Sequence, residues 1–307
     1  MRVAAIDQGT NTTRLLVADV AGGGVSDVVR RSTITRLGEG VDARRRLLPL
    51  PITRVRNCLA DYRRELESLG AERALLVATS AVRDAENGEA FLGEIEWSYG
   101  FKTRLLSGDE EAEMTLRGVG EVDDGTIVID VGGGSTELTK ADGRVSTELG
   151  SVRLTERLLE SDPPTAEELR SLAEAIRAVL AEHDFQAERG IGVAGTVTSL
   201  AALDLGLIEY DPERVHGHRL SESAVAVQLD RLAALPLAER REVPGLEPER
   251  APVIVAGAAI VLWTMRYLGL GEIEVSERDL LDGAALAAAE LPEPVEGDAP
   301  PGAYTCC

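Results

Sequence analysis

The sequence predicts an α/β protein built from two similar domains, and three observations lead there. Its 307 residues are enough for two domains of ordinary size, each able to bury a core. Hydrophobic residues make up 44% of the chain but aromatic residues only 3%, so the cores are built from Ala, Val, Leu and Ile. A short apolar strand that ends in an aspartate and a glycine turn occurs twice, at Asp7 and at Asp130, an offset of 123 residues. Self-similarity of this kind reads as an internal duplication.

The first strand covers residues 3–6 and is cut by Asp7 and by the turn residues Gly9 and Asn11. A second apolar run at residues 15–20 stops at Gly22-Gly23-Gly24, the punctuation of a hairpin. A helix is expected over residues 51–69, opened by Pro51 and closed by Gly70. Residues 74–78 and 101–106 read as buried strands, the second leading into Ser107-Gly108-Asp109-Glu110-Glu111. The pattern restarts at Thr126 with Ile127-Val128-Ile129-Asp130, Gly132-Gly133-Gly134-Ser135-Thr136 and a further strand. The domain boundary therefore falls near residues 121–125, giving domains at 1–121 and 122–290. Helices are expected over residues 165–182, 221–234 and 248–268, with a strand running into a turn at residues 191–196. Residues 291–307, rich in Pro, Glu, Gly and Ala, read as a disordered tail.

Charge limits the partners. The formal net charge is −21, but it is uneven. Residues 1–120 hold 17 Lys and Arg against 18 Asp and Glu, which leaves 15 against 35 for the remainder of the 32 and 53. Such acidity argues against nucleic-acid binding, which needs cations on the phosphates. A polyanion would approach the first half, where Arg30, Arg31, Arg36, Arg44, Arg45, Arg46, Arg54, Arg56, Arg63 and Arg64 lie. The other reading of these arginines is a solvated face of helix salt bridges. Neither a cationic, apolar leader nor an apolar run of membrane-spanning length is present, and a cytoplasmic protein without membrane contact is expected. Cys58, Cys306 and Cys307 form neither a disulfide framework nor a metal motif.

The two Asp-x-Gly turns carry the chemistry. Glycine lets the backbone approach a ligand closely, so that successive N–H groups converge on an anion. Thr10, Asn11, Thr12 and Thr13 add donors in the first turn, and Ser135 and Thr136 in the second. Asp7 and Asp130 would repel phosphate unless a cation intervened, which implies Mg²⁺ or Mn²⁺. One such turn is as readily a plain hairpin; two at matching points of a duplicated unit argue for phosphate. Arg14 can present its planar fork to a phosphate oxygen or form an ion pair. Ser107 and Glu110 have the capping-box pattern, which leaves Glu111 available as a general base that orients a water. Glu110, Glu111 and Glu113 also suit the dipole of a helix N-terminus. Residues 192–196 form a third glycine turn before a helix. His216 and His218 read more simply as a loop wall than as metal ligands, and His183 as a helix C-terminal partner.

Taken in order, several stretches resemble one family. These are Ala5-Ile6-Asp7-Gln8-Gly9-Thr10-Asn11, Ala78-Thr79-Ser80-Ala81-Val82-Arg83-Asp84-Ala85-Glu86-Asn87-Gly88, Leu106-Ser107-Gly108-Asp109-Glu110-Glu111-Ala112, Val128-Ile129-Asp130-Val131-Gly132-Gly133-Gly134-Ser135-Thr136-Glu137, Glu148-Leu149-Gly150-Ser151-Val152-Arg153, Val215-His216-Gly217 and Ser276-Glu277-Arg278-Asp279. The chain is similar in them to the exopolyphosphatase and guanosine pentaphosphate phosphohydrolase family of the actin-like ATPase superfamily. The resemblance implies two actin-like (ribonuclease H-like) domains with a cleft between them, and an enzyme that releases terminal orthophosphate from inorganic polyphosphate or guanosine pentaphosphate. It also implies Glu111 as the catalytic carboxylate, with Asp7, Asp130 and Glu137 near the divalent metal. Gly9, Thr10, Asn11, Arg14, Gly132, Gly133, Gly134 and Ser135 would serve phosphate, with Arg83 and Arg153 in or near the cleft. Relatives often dimerise, and Ala-rich helices suit such a contact.

Gln8 departs from the apolar or small residue usual in the family, and Thr10-Asn11-Thr12 from the commoner Ser-Asn-Ser. The additional helical region of long family members is not found after residue 289, which leads to an expected preference for short-chain polyphosphate. Two other readings fit the same turns: an actin-like small-molecule kinase, and a non-catalytic phosphate or nucleotide sensor.

Overall fold

A computed structural model describes residues 1–292 and divides the chain into two units. The first unit holds Met1–Gly120 and takes the chain back from Asp279 on, and the second is Glu121–Arg278. In chain order the first unit has β1 (Arg2–Gln8), β2 (Thr12–Ala21), β3 (Gly24–Ile34), α1 (Val41–Arg44), α2 (Pro49–Ser68), β4 (Arg73–Ala78), α3 (Ser80–Arg83), α4 (Gly88–Tyr99), β5 (Lys102–Leu105) and α5 (Gly108–Val119). The second has β6 (Thr126–Val131), β7 (Thr136–Lys140), β8 (Gly143–Thr147), α6 (Ser151–Leu158), α7 (Ala166–Leu180), β9 (Arg189–Val193), α8 (Ala194–Asp204), α9 (Pro212–Val215), β10 (Arg219–Ser221), α10 (Glu222–Ala233), α11 (Leu237–Arg240), α12 (Ile254–Leu268) and β11 (Glu272–Val275). The last element, α13 (Leu280–Ala289), belongs to the first unit.

The duplication is visible in the sheets. The first is ordered β3-β2-β1-β4-β5 and the second β10-β11-β9-β6-β7-β8. In each, a three-strand antiparallel meander starts from an inner strand, β1 or β6, whose other neighbour, β4 or β9, runs parallel to it. Open sheets of this kind bind ligands beyond the carboxyl ends of their parallel strands. Asp7 and Asp130 stand at those ends.

Alternation along β1 decides which side chain faces which layer, because successive residues of a strand point to opposite faces. Ala4 and Ile6 pack with Leu59, Phe91 and Ile95 of α2 and α4. Val3 and Ala5 pack with Met114 of α5 and with Leu280, Leu281, Ala284 and Ala288 of α13. Asp7 continues the second set and Gln8 the first.

Several boundaries differ from expectation. Helix α2 begins at Pro49 instead of Pro51, and Gly70 follows its end at φ +72°. Strand β3 has no counterpart in the sequence reading, because it is an edge strand whose residues are all exposed or half-buried and so lacks an apolar alternation. Residues 279–289, expected within the second domain, pack on the first sheet instead. The apolar side of α13 is evident in the sequence, but not the sheet it covers. Of the tail expected at 291–307, residues 293 on lie outside the described residues. No helix among the described residues is long and apolar enough to cross a membrane.

Helices α5 and α13 meet through glycine. A Cβ on Gly118 would sit 1.8 Å from the Asp279 carbonyl oxygen, and one on Gly283 would sit 2.0 Å from that of Met114. Alanine in a helix ordinarily gains about 1 kcal/mol over glycine. Here Gly118→Ala or Gly283→Ala is expected to lower unfolding free energy by about 1–3 kcal/mol through overpacking. A denaturant midpoint that stays or rises would show that the helices do not approach this closely.

Candidate active site

Three carbonyl groups of the first turn are held by the protein behind it. Gly9 N–H donates to Thr12 O at 3.0 Å, closing the turn. Gly9 O accepts from Gln8 Nε2 at 3.1 Å. Thr10 O accepts from Gly38 N–H at 2.8 Å, and Asn11 O from Thr35 and Arg36 N–H at 3.1 and 2.8 Å. A planar trans peptide points its N–H opposite to its C=O, so the amides of Thr10, Asn11 and Thr12 are turned away from these anchors. The side-chain nitrogen of Asn11 is buried without a hydrogen-bond partner. A buried donor left unmatched is costly, which marks it as a group awaiting an acceptor.

The second turn repeats the arrangement. Gly132 N–H donates to Ser135 O at 3.0 Å. Gly132 O accepts from Ser151 N–H at 3.0 Å, and Gly133 O from Val152 and Arg153 N–H at 2.8 and 3.2 Å. Gly134 O accepts from Arg153 Nε at 2.8 Å. The amides of Gly133, Gly134 and Ser135 therefore point the other way. Gly150 makes this docking possible: a Cβ there would lie 2.4 Å from Gly133 O and 2.3 Å from the carbonyl carbon of Gly134. Arg153, expected near the ligand, is buried and braces the turn from behind.

The offset also explains Gln8. Gly9 corresponds to Gly132, whose carbonyl is held by a backbone amide; in the first turn the side chain of Gln8 does that work. Gln8 is wholly buried and accepts from Thr13 Oγ1 at 2.8 Å. Gln8 thus braces the turn from the side of its carbonyls.

The two halves differ in charge. In β1–β2 Asp7 pairs across the ladder with Arg14, and in β6–β7 Asp130 pairs with Glu137 at the corresponding register. Arg14, expected to offer its fork to phosphate, instead binds two carboxylates. Its Nε and Nη2 reach Asp7 Oδ2 at 2.9 and 2.7 Å, and its Nη1 donates to Asp279. Burial nevertheless holds the Asp7 carboxyl above its ordinary pKa, against the pull of Arg14. Burial works against Asp279 too, but Arg14 and Arg30 outweigh it and keep that carboxyl below its ordinary value. Asp279 ends a stretch that resembles the family but has no role in the sequence reading; it lies 265 residues from Arg14, and no local pattern links the two.

In each unit the carboxylates beside the turn are of the kind a hard divalent cation takes. Asp7 Oδ1 is buried without a hydrogen-bond partner. Asp130 and Glu137 are buried and face each other across a ladder rung, where like charges are unfavourable unless neutralised. Glu137 accepts from Ser146 Oγ at 2.6 Å. No group of three or more His, Cys, Asp or Glu among the described residues could hold a metal ion. A cation here would complete its shell with water and phosphate oxygens, as Mg²⁺ does.

Glu111 is positioned within the first unit. The capping box forms: Glu110 N–H donates to Ser107 Oγ at 3.2 Å, and Ser107 N–H to Glu110 Oε2 at 2.9 Å. Glu111, the next residue, is buried and accepts from Arg83 Nη1 at 3.2 Å. The same Nη1 donates to Leu106 O at 2.7 Å. Arg83 ends α3, whose first residue, Ser80, lies with its hydroxyl 3.4 Å from that of Thr10. The first turn, α3, Arg83 and Glu111 thus form one connected constellation.

The remaining candidates have structural partners. His216 Nδ1 accepts from Glu277 N–H at 3.2 Å, and His218 Nε2 lies 2.7 Å from Asp204 Oδ2, as expected of a loop wall. The carbonyl of His183 accepts from Tyr267 Oη at 2.5 Å. The third glycine turn opens α8 with Ala194 at φ +68°, and the Arg250 guanidinium packs over Gly195.

Known proteins resemble this chain over nearly its whole length. A family model described as the Ppx/GppA phosphatase family matches residues 16–290. A protein of Mycobacterium tuberculosis named exopolyphosphatase 2 is 40% identical, over 94% of this chain and 98% of its own. The crystal structure of the Aquifex aeolicus member of the Ppx/GppA family is 31% identical with a TM-score of 0.79, over 94% of this chain and 98% of that one. A crystal structure of an exopolyphosphatase-like protein is 34% identical with a TM-score of 0.87, over 95% and 100%. The mixed α/β, two-domain fold expected from the sequence is that of these structures.

The neighbours Glu110 and Glu111 have different partners: Glu110 closes the capping box and Glu111 accepts from Arg83. The Ser107 amide and then Arg104 hold the Glu110 carboxyl down at about 2, from an ordinary 4.5. A depressed folded-state pKa contributes stability above the unfolded value, which is lost as pH falls through the folded one. Glu110→Gln should therefore lower Tm modestly at pH 7, with the difference closing between about pH 4.5 and 2. A Tm deficit independent of pH would contradict this.

Proposed function

The chain belongs to the Ppx/GppA phosphatase family and is a phosphoanhydride hydrolase, and from that premise we propose that it is an exopolyphosphatase acting on short-chain inorganic polyphosphate. The carrying observation is the pair of glycine turns whose carbonyls are anchored from behind. Their amides bind nonbridging phosphate oxygens, as preorganised donors that need no rearrangement when charge develops. Asn11 Nδ2 adds a side-chain donor. Each short turn presents only three outward amides, room for few phosphates, which supports short chains over long polymer.

Glu111 orients the attacking water and takes its proton. The water oxygen bonds to the terminal phosphorus while the bridging P–O bond opposite breaks, releasing orthophosphate and a chain shorter by one phosphate. Arg83 sets the Glu111 carboxylate and lies beside the incoming phosphate. The carboxylates proposed to serve Mg²⁺ or Mn²⁺ are Asp7 in the first unit and Asp130 and Glu137 in the second; the cation would supply charge neutralisation when bound. Arg14 and Asp279 position Asp7. Gly9 and Gly132 shape the turns, Gly133, Gly134 and Ser135 contribute amides, and Arg153 braces the second turn.

Family membership removes the kinase and sensor readings; removal of the 5′-phosphate of guanosine pentaphosphate is the alternative tested directly. Phosphate release should be faster from short polyphosphate than from long polymer or guanosine pentaphosphate. Glu111→Gln should lower it by roughly 10²–10⁴-fold, the usual contribution of a general base, without lowering Tm. Full activity in that variant would refute the assignment of Glu111, and faster turnover of guanosine pentaphosphate would reverse the substrate preference.

A further inference from the structure

Most of the clustered arginines of the first half are neutralised by neighbours. Arg30 pairs with Asp27 and Asp282, Arg31 with Glu65, Arg54 with Glu39, Arg56 with Glu94, Arg63 with Glu67, and Arg64 with Asp61. For these the salt-bridge reading holds. Arg44, Arg45 and Arg46 differ: they are consecutive and exposed, and their side chains make no hydrogen bond or ion pair with any described residue.

The backbone beneath them is firmly built. The segment leaves the first turn through the bonds of Arg36 and Gly38 N–H to Asn11 and Thr10 O, both at 2.8 Å. It folds on itself through Val41 N–H to Gly38 O at 3.0 Å and Arg45 N–H to Val41 O at 2.8 Å. It then joins the stretch that follows α3: Glu86 N–H donates to Arg45 O at 2.8 Å. Leu47 exchanges two bonds with the Asn87 side chain, at 2.8 and 3.1 Å. Val41 and Leu47 are buried on either side of the triplet. Arg45 is held at φ +52°, a left-handed conformation uncommon outside glycine. A strained residue persists where its surroundings over-determine it, often where function requires it.

Three unpaired guanidiniums are therefore displayed on a fixed platform that begins at the first turn and ends beside the segment bearing Arg83. Each offers a planar fork matched to phosphate oxygens, in a chain whose net charge is −21. We infer that Arg44, Arg45 and Arg46 form a secondary subsite that grips phosphates of an inorganic polyphosphate chain beyond the one presented to Glu111. The inference rests on the exopolyphosphatase reading and extends it: affinity rises with chain length until the chain covers the triplet, then levels off.

Binding is best measured in the Glu111→Gln protein, so that hydrolysis does not interfere, with inorganic tripolyphosphate and polyphosphate of defined medium length over a range of NaCl concentrations. The triple variant Arg44→Gln, Arg45→Asn, Arg46→Gln uses Asn at the left-handed position, which Asn tolerates. It should bind medium-length polyphosphate about tenfold more weakly, as expected when a few exposed charge pairs are removed. The slope of log affinity against log salt should fall by about 2, for three phosphates no longer neutralised by arginine, while tripolyphosphate binding is unchanged. The single variant Arg46→Gln, in an ordinary conformation, should show a smaller change in the same direction should the triple variant fold poorly. Equal weakening for both ligands, no weakening for the longer one, or tighter triplet-dependent binding of a single-stranded oligonucleotide would overturn the inference. Triplet-dependent binding of polyphosphate that the unaltered enzyme does not cleave would support the subsite and refute the exopolyphosphatase reading instead.

Discussion

Each glycine turn has three consecutive carbonyl oxygens fastened to the protein behind it, and the direction of the turn amides in both units depends on that constraint. A glycine-rich turn left to itself samples many conformations and presents amides and carbonyls alike. Once the carbonyls are tied back, peptide planarity leaves the amides no direction but the opposite one. The fastening is achieved by different means in the two halves. The second turn is held by the first amides of α6 and by Arg153. The first is held by the segment at residues 35–38 and by the Gln8 side chain.

The duplicated units have diverged most at one rung. Arg14 stands opposite Asp7 where Glu137 stands opposite Asp130, so one aspartate carries its own counter-charge and the other faces a second carboxylate. The arginine of the first pair has a further consequence, because it also binds Asp279. Asp279 caps α13 together with Asp282, and Asp282 pairs with Arg30 of β3. Two ion pairs and the close approach at Gly118 and Gly283 thus fix the returning helix on the first sheet. That helix packs on α5, which bears Glu111. Buried ion pairs add little net stability, and specifying a register is their best-attested use; here they align the helix with the strand that carries Asp7.

The sequence disclosed what depends on neighbours along the chain. Two strands ended by aspartate and glycine, their common offset and the Ser107–Glu110 capping box are local patterns, and the structure contains each of them. Strand β3 was illegible because an edge strand exposed along its length need not alternate. The partners of Arg14, the direction of Gln8 and the separation of Arg44, Arg45 and Arg46 from their paired neighbours were illegible for another reason. Each depends on residues brought near by folding, Asp279, the Gly9 carbonyl and the acidic residues of other elements, and such proximities leave no periodicity to read. The sequence by itself determined the kind of fold, the two glycine turns and the capping box before Glu111, since periodicity and turn chemistry are properties of adjacent residues. Only the tertiary structure decided which arginines remain available to an anion and which unit holds the final helix, since both are settled by charge pairing and close packing between distant segments.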